Sequence, residues 1–126
     1  MGNNTAAVLV VEDVELVRTT LARLLQRWGW SVAVAASGDA AFDLLCTHRY
    51  GCVVSDHQMP AGDGLSLARR WNAILDPTTP ILIQTAERST EVLNAYRALS
   101  VPVLMKGADP DQVREWVQQA LKLRRE

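Results

Sequence analysis

Residues 52–65 read CVVSDHQMPAGDGL, and the rest of the chain is most simply explained as built around Asp56. A short apolar run, Cys52 to Val54, ends at Ser55-Asp56 and is followed at once by a segment bearing proline and glycine. An apolar run bounded in this way reads as a buried strand with Asp56 at its carboxyl end. In open α/β sheets that edge is where ligands bind. Met59-Pro60 bends the chain and Gly62-Asp63-Gly64 opens a helix. A carboxylate in this setting suggests a nucleophile or a metal ligand, the alternative being an ordinary helix-capping aspartate.

Outward from this stretch, apolar runs alternate with helical periodicity. Ala7–Val11 reads as a first buried strand ending at Glu12-Asp13. Leu16, Val17, Thr20, Leu21, Leu24, Leu25 and Trp28 then repeat at helical spacing, with Gly29 as a stop. Trp30–Ala35 alternates as a second strand. Ser37-Gly38 leads into a helix carrying Ala41, Leu44 and Leu45, and residues 48–51 close it before the strand of Asp56. Leu65, Leu67, Ala68, Trp71, Ile74 and Leu75 give a third helix, stopped at Asp76-Pro77. Pro80–Thr85 is a fourth strand, and Ser89 caps a helix through Val92, Leu93, Tyr96 and Leu99. Val101–Met105 is a fifth strand ending at Lys106-Gly107. Asp109 then caps a helix with Pro110 at its first position, and the basic residues 122–125 suit its C-terminus.

Five strands alternating with five helices argue for a parallel sheet covered on both faces. Right-handed crossovers favour a doubly wound, flavodoxin-like (βα)5 topology, with strand order 2-1-3-4-5. One domain is expected from 126 residues, comprising residues 6–126 after a disordered tail of residues 1–5. A net charge of −1 gives no electrostatic reason to expect direct nucleic-acid or membrane binding. No apolar run approaches the roughly 20 residues of a spanning helix, and the N-terminus lacks the basic start and apolar stretch of a signal peptide. Ala6 stands where a myristoylation signal wants Ser or Thr. Cys46 and Cys52 have neither zinc nor redox spacing and read as buried free thiols of a cytoplasmic protein. The four tryptophans, Trp28, Trp30, Trp71 and Trp116, read as packing residues.

Four of the five strand ends deliver polar groups to one edge: Glu12 and Asp13, Asp56, Thr85, and Lys106. Three carboxylates in one pocket repel one another unless something cationic resides there. All-oxygen ligands favour a hard divalent ion, and Mg²⁺ fits best because it accepts a few carboxylates plus water and a phosphoryl oxygen. Lys106 and the Thr85 hydroxyl add a charge and a donor suited to a phosphoryl group. The chemistry implied is phosphoryl transfer to a carboxylate. A flavin phosphate is disfavoured, because two acids follow the first strand where that ligand would need donors.

The motifs VLVVED at Val8–Asp13, SDHQMPAGDG at Ser55–Gly64, IQTA at Ile83–Ala86 and VLMK at Val103–Lys106 resemble the receiver domain of two-component response regulators. The resemblance covers roughly residues 6–124. It implies that Asp56 takes a phosphoryl group from a phosphohistidine on a histidine kinase or phosphotransfer protein. It further implies that Asp13 binds Mg²⁺ directly and Glu12 mainly through water, with Asp56 and the Gln58 backbone carbonyl completing the set. Lys106 would pair with the acid at rest and with the phosphoryl group afterwards. Thr85 would swing to bond a phosphoryl oxygen and draw the following loop with it, passing the signal to a downstream protein. Such a domain catalyses only its own modification.

The chain departs from the family pattern at three places. Val103 replaces a common aromatic, Gly107 replaces the proline that usually follows the lysine, and Gly62 stands where a larger apolar residue is frequent. With glycine at 107, the Lys106–Gly107 peptide is expected to be trans.

Other residues near these motifs have plainer readings. Alternation points His57 away from Asp56, and it reads as a variable loop residue; His48 reads as a polar helix end. Asp63 is expected to support its loop, while Gln58 and Glu87 flank the reaction site. Two rival functions remain at this stage. One is a multi-turnover phosphohydrolase with an aspartyl-phosphate intermediate, which usually carries its nucleophile after the first strand and adds a cap domain. The other is a degenerate receiver acting only as a binding module. The fifth helix leaves no room for an output domain in this stretch, so a stand-alone receiver and a receiver belonging to a hybrid kinase or a larger regulator are both expected readings.

Overall fold

The structure is a computed structural model that describes residues 5–59, 62–74, 79–86, 88–107 and 109–125. Ten elements alternate along it: β1 (Thr5–Val11), α1 (Glu15–Arg27), β2 (Val32–Ala35), α2 (Gly38–Thr47), β3 (Arg49–Asp56), α3 (Gly64–Ile74), β4 (Ile81–Thr85), α4 (Thr90–Ala98), β5 (Val103–Met105) and α5 (Pro110–Arg125). The strands form one parallel sheet in the order β2-β1-β3-β4-β5, the doubly wound topology expected from the sequence.

Alternation along the strands divides the core in two, because successive side chains leave opposite faces of a sheet. Val8, Val10, Cys52, Val54 and Leu82 pack with Leu25 of α1 and with Val113 and Val117 of α5. Leu9, Val11, Val53 and Ile83 pack with Ala41 and Leu45 of α2, Leu67 and Trp71 of α3, and Tyr96 of α4. Each strand of the sheet's centre is therefore apolar on both sides, which is why these strands read as continuous apolar runs.

Several boundaries differ from the sequence reading. β3 begins at Arg49, not Cys52, because Arg49 and Tyr50 pair with Thr5 and Ala6 and extend β1 and β3 together. Thr5 consequently belongs to the sheet and not to a tail. β2 is shorter than expected, since Trp30 turns back on α1, its N–H donating to the Leu25 carbonyl and its ring meeting Trp28 edge-on at 6.1 Å. β5 starts only at Val103; the Val101 N–H is used by the Tyr96 carbonyl and Pro102 has none to offer. Cys46 is exposed, whereas Cys52 is buried and its thiol is pushed up to about 12 by desolvation. The expected roles of Pro60, Leu75, Asp76-Pro77 and Glu87, and of residues 1–4, lie outside the described residues.

Candidate functional site

β1, β3 and β4 run parallel, so their carboxyl ends meet, and Asp56 pairs in register with Gln84 of β4. Glu12 and Asp13 follow β1, and ligand atoms of Glu12, Asp13 and Asp56 all lie within 4.8 Å of one another. Glu12 and Asp56 are buried, and Asp13 is half-buried. α1 does not consume these acids as caps: its N-cap is Val14, which makes no side-chain cap bond. Arg18, one turn into α1, instead donates to the Glu12 carbonyl at 2.9 Å and reaches toward that of Asp13 at 3.5 Å. That bond ties the acidic corner to the helix.

Lys106 arrives from beyond β5. Its N–H donates to the Thr85 carbonyl at 2.9 Å, and its ammonium lies 3.2 Å from Glu12 Oε1 and 3.3 Å from Asp56 Oδ1. Burial works against the ammonium, but the charges of Asp56 and Glu12 outweigh it and leave Lys106 above its ordinary pKa. Glu12 is raised in turn, first by burial, then by the neighbouring Asp13 carboxylate and the Asp56 charge, with Lys106 only partly opposing. Thr85 is buried at the end of β4. The peptide after Lys106 is trans, and Gly107 turns the corner at φ +93°.

The donor set suits a hard cation. Lys106 pairs with two of the three clustered carboxylates, and Glu12 Oε2 is buried without a hydrogen-bond donor among the described residues. Its neighbour Asp13 is also a carboxylate, and the two share a hydrogen bond only when one is protonated. Three oxygen ligands in a corner open to water, and no nitrogen or sulfur ligand among them, match Mg²⁺.

His57 differs from the sequence reading. Its side chain does point away from the Asp56 carboxylate, but it is a buried residue, 7% exposed, and no loose loop position. Its backbone N–H donates to Asp56 Oδ1 at 2.8 Å, and its ring Nδ1 is hydrogen-bonded to the Tyr96 hydroxyl at 2.6 Å. Burial overrides the expectation because β3 continues to Asp56 and the next residue still faces the α4 layer. Asp63 caps α3, its carboxylate accepting from the Ser66 N–H at 2.8 Å. His48 caps the end of α2 and stacks on Tyr50. The Gln58 side chain is exposed. Sequence reasoning missed Arg18 and the polar role of Tyr96. Tyr96 occupied an apolar position of its helix, and nothing in the spacing linked it to residue 57.

An edge that gathers two acids after the first strand, a third at the last residue of the third strand and a lysine after the fifth defines a receiver. A family model described as the response regulator receiver domain matches residues 8–118, and the chain belongs to that family, the phosphorylation-dependent signalling module of two-component systems. The transcriptional regulatory protein ZraR of Salmonella typhimurium is 36% identical over 120 residues, covering 94% of this chain and 27% of ZraR. FixJ of Bradyrhizobium diazoefficiens is 31% identical over 116 residues, covering 91% of this chain and 56% of FixJ. The chain thus spans about a quarter of the one relative and about half of the other. Among solved structures, the chemotaxis response regulator CheY4 of Vibrio cholerae superposes with a TM-score of 0.81 at 28% identity, over 93% of this chain and 99% of CheY4. No helix among the described residues is long and apolar enough to cross a membrane.

Proposed function

We propose that the protein is a phosphorylation-operated switch in which Asp56 accepts a phosphoryl group from a phosphohistidine of a histidine kinase or phosphotransfer protein. The observation that carries this reading is the cluster of Glu12, Asp13 and Asp56, two of whose carboxylates, Glu12 and Asp56, share the Lys106 ammonium. In the transfer, the phosphorus–nitrogen bond of the donor breaks and a phosphorus–oxygen bond to Asp56 forms, leaving a neutral imidazole on the donor. Asp13, Asp56 and the Gln58 carbonyl would hold Mg²⁺, with Glu12 acting through water. The bound ion supplies positive charge beside the phosphoryl oxygens. Lys106 holds Asp56 at rest and moves its charge to the phosphoryl group once that group has arrived. Thr85 then donates its hydroxyl to a phosphoryl oxygen and draws the start of the β4–α4 connection toward the site, relaying the change to a downstream protein.

Delivery of the group also has a place to occur. A groove of about 460 Å³ opens onto Asp56 and Lys106, walled by Leu16, Val17, Thr20 and Leu24 of α1 and by Pro110 and Val113 of α5. Leu16 is 76% exposed beside it. An apolar partner face seated there would carry its phosphohistidine to Asp56.

The test is labelling with acetyl phosphate and Mg²⁺, followed by intact mass. One labile phosphoryl group per chain is expected, and none in Asp56→Asn. Labelling of that variant at full stoichiometry would overturn the assignment. Sustained release of phosphate from small phosphomonoesters would instead favour a phosphohydrolase.

A further inference from the structure

Tyr96 is the buried residue of α4 and is fully shielded from solvent. Its hydroxyl is spent on His57 Nδ1 at 2.6 Å, and the two rings meet edge-on with centroids 5.4 Å apart. Burial raises the Tyr96 pKa, and the Asp63 and Asp56 charges raise it further, so the phenol stays protonated and remains a donor. A buried hydroxyl facing an imidazole at this distance is a specific bond, since either group unpaired there would bear the full cost of desolvation.

His57 in turn is fastened at both ends of its backbone. Its N–H donates to Asp56 Oδ1 at 2.8 Å, the same oxygen that faces Lys106, and its carbonyl accepts from the Gly64 N–H at 2.9 Å. The first residue of α3 leaves no slack: a Cβ at Gly64 would stand 2.7 Å from the Asp56 carbonyl oxygen and 2.9 Å from the Tyr96 hydroxyl. A carboxylate oxygen, one peptide N–H, one imidazole and one phenol therefore form a continuous packed chain from the pocket on one face of the sheet to α4 on the other.

We infer that Tyr96, through His57, is a positioning residue that couples the state of Asp56 to α4. Resting on the reading of Asp56 as phosphoacceptor, the coupling works as follows. Phosphorylation turns the carboxylate into an acyl phosphate, which takes the anionic charge off the carboxyl oxygens and changes what Oδ1 offers the His57 N–H. The Asp56–His57 peptide adjusts, the ring moves with it, and the bond to Tyr96 has to be re-made with α4 displaced, because close packing passes on displacement and does not absorb it.

The experiment uses Mg²⁺ with beryllofluoride as the phosphoryl mimic and follows backbone amides by NMR. In the wild type, amides at Asp13 and Ser55 and amides of residues 90–98 should all shift. In Tyr96→Phe, which keeps the ring, and in His57→Leu, the Asp13 and Ser55 responses should persist while those of residues 90–98 fall to less than half. His57→Asn, which returns a polar atom close to the position of Nδ1, should restore most of the α4 response. Loss of packing alone would not be rescued by a smaller polar side chain. The ring ¹⁵N shifts of His57 should also move on binding in the wild type and be offset in Tyr96→Phe. Undiminished α4 shifts in Tyr96→Phe, with the site amides responding, would overturn the coupling alone. A wild type whose Asp13 and Ser55 amides ignore the mimic would overturn both the coupling and the phosphoacceptor reading.

Discussion

Lys106 places its ammonium 3.3 Å from Asp56 Oδ1 although β4 lies between the strands that carry them. The reach is possible because Lys106 leaves the edge strand at its carboxyl end, where the Thr85 carbonyl fixes its N–H, and the extended side chain crosses above the end of β4. With Glu12 Oε1 at 3.2 Å, one cation serves two buried acids.

Replacing that cation should loosen the metal-free protein. Lys106→Met leaves Glu12 and Asp56 buried without a countercharge. Removing one partner of a buried pair is strongly destabilising, but Lys106 is 39% exposed, and solvent screening reduces the effect. The expected loss is about 1–2 kcal/mol, measured by urea denaturation at pH 7 without Mg²⁺. The pair raises Lys106 above its ordinary 10.5. Its contribution is therefore fully present at neutral pH and is lost only as pH climbs through the folded value. An unchanged midpoint in the variant would show that the pairing contributes nothing.

Mg²⁺ affinity should fall as the solution is acidified. Glu12 is raised above its ordinary 4.5, chiefly by burial and then by Asp13 and Asp56. A raised acid binds its proton more tightly in the folded state. The repulsion it contributes is present above the folded value and relieved as pH falls through that value toward 4.5. Protons and the metal then compete for the same corner. Calorimetric titrations between pH 7.5 and pH 5 should show several-fold weakening, flatter in Glu12→Gln. An identical slope in that variant would assign the pH dependence to another group.

Thr85→Ala should separate chemistry from relay. The hydroxyl donates a hydrogen bond and supplies no charge, so Asp56 should still be labelled by acetyl phosphate. Amide exchange over residues 86–99 should respond less to beryllofluoride than in the wild type. Equal responses would mean that the change does not pass through this side chain.

Gly107→Ala tests the corner after the lysine. Gly107 sits at φ +93°, and a Cβ there would meet nothing within 4 Å, so the cost is backbone strain alone. An L-residue in this region costs about 1–2 kcal/mol. Thermal unfolding should register that loss, and Lys106 should hold Asp56 less firmly. An alanine variant as stable as the wild type would show that the corner relaxes without strain.

The sheet, its order and the acidic corner were legible in the sequence for one reason. Parallel strands bury both faces, so they appear as apolar runs, and their ends announce themselves by a change to polar residues. Asp56 and Lys106, 50 positions apart, could be brought together by topology alone. Contacts made by side chains across layers were not legible. His57 looked like the start of a loop because the apolar run had ended, yet its ring is buried against a tyrosine 39 residues away. Arg18 is one more polar residue on an amphipathic helix, and only its distance to the Glu12 carbonyl reveals what it holds. The starts of β3 and β5 were misplaced where pairing with a neighbour, and not local composition, decides the boundary, while their carboxyl ends at Asp56 and Met105 were read correctly.

The parity of β3 carries a genetic consequence. Cys52, Val54 and Asp56 leave one face of the sheet, while Val53 and His57 leave the other. Deleting or inserting a single codon between Gly51 and Asp56 would invert that assignment, sending the carboxylate under α4 and the imidazole into the pocket. A point substitution at an apolar position of this segment leaves Asp56 on its face, whereas a one-residue change of length does not. A library of single-codon indels across residues 49–58 should therefore show a sharp gap in function over 52–56.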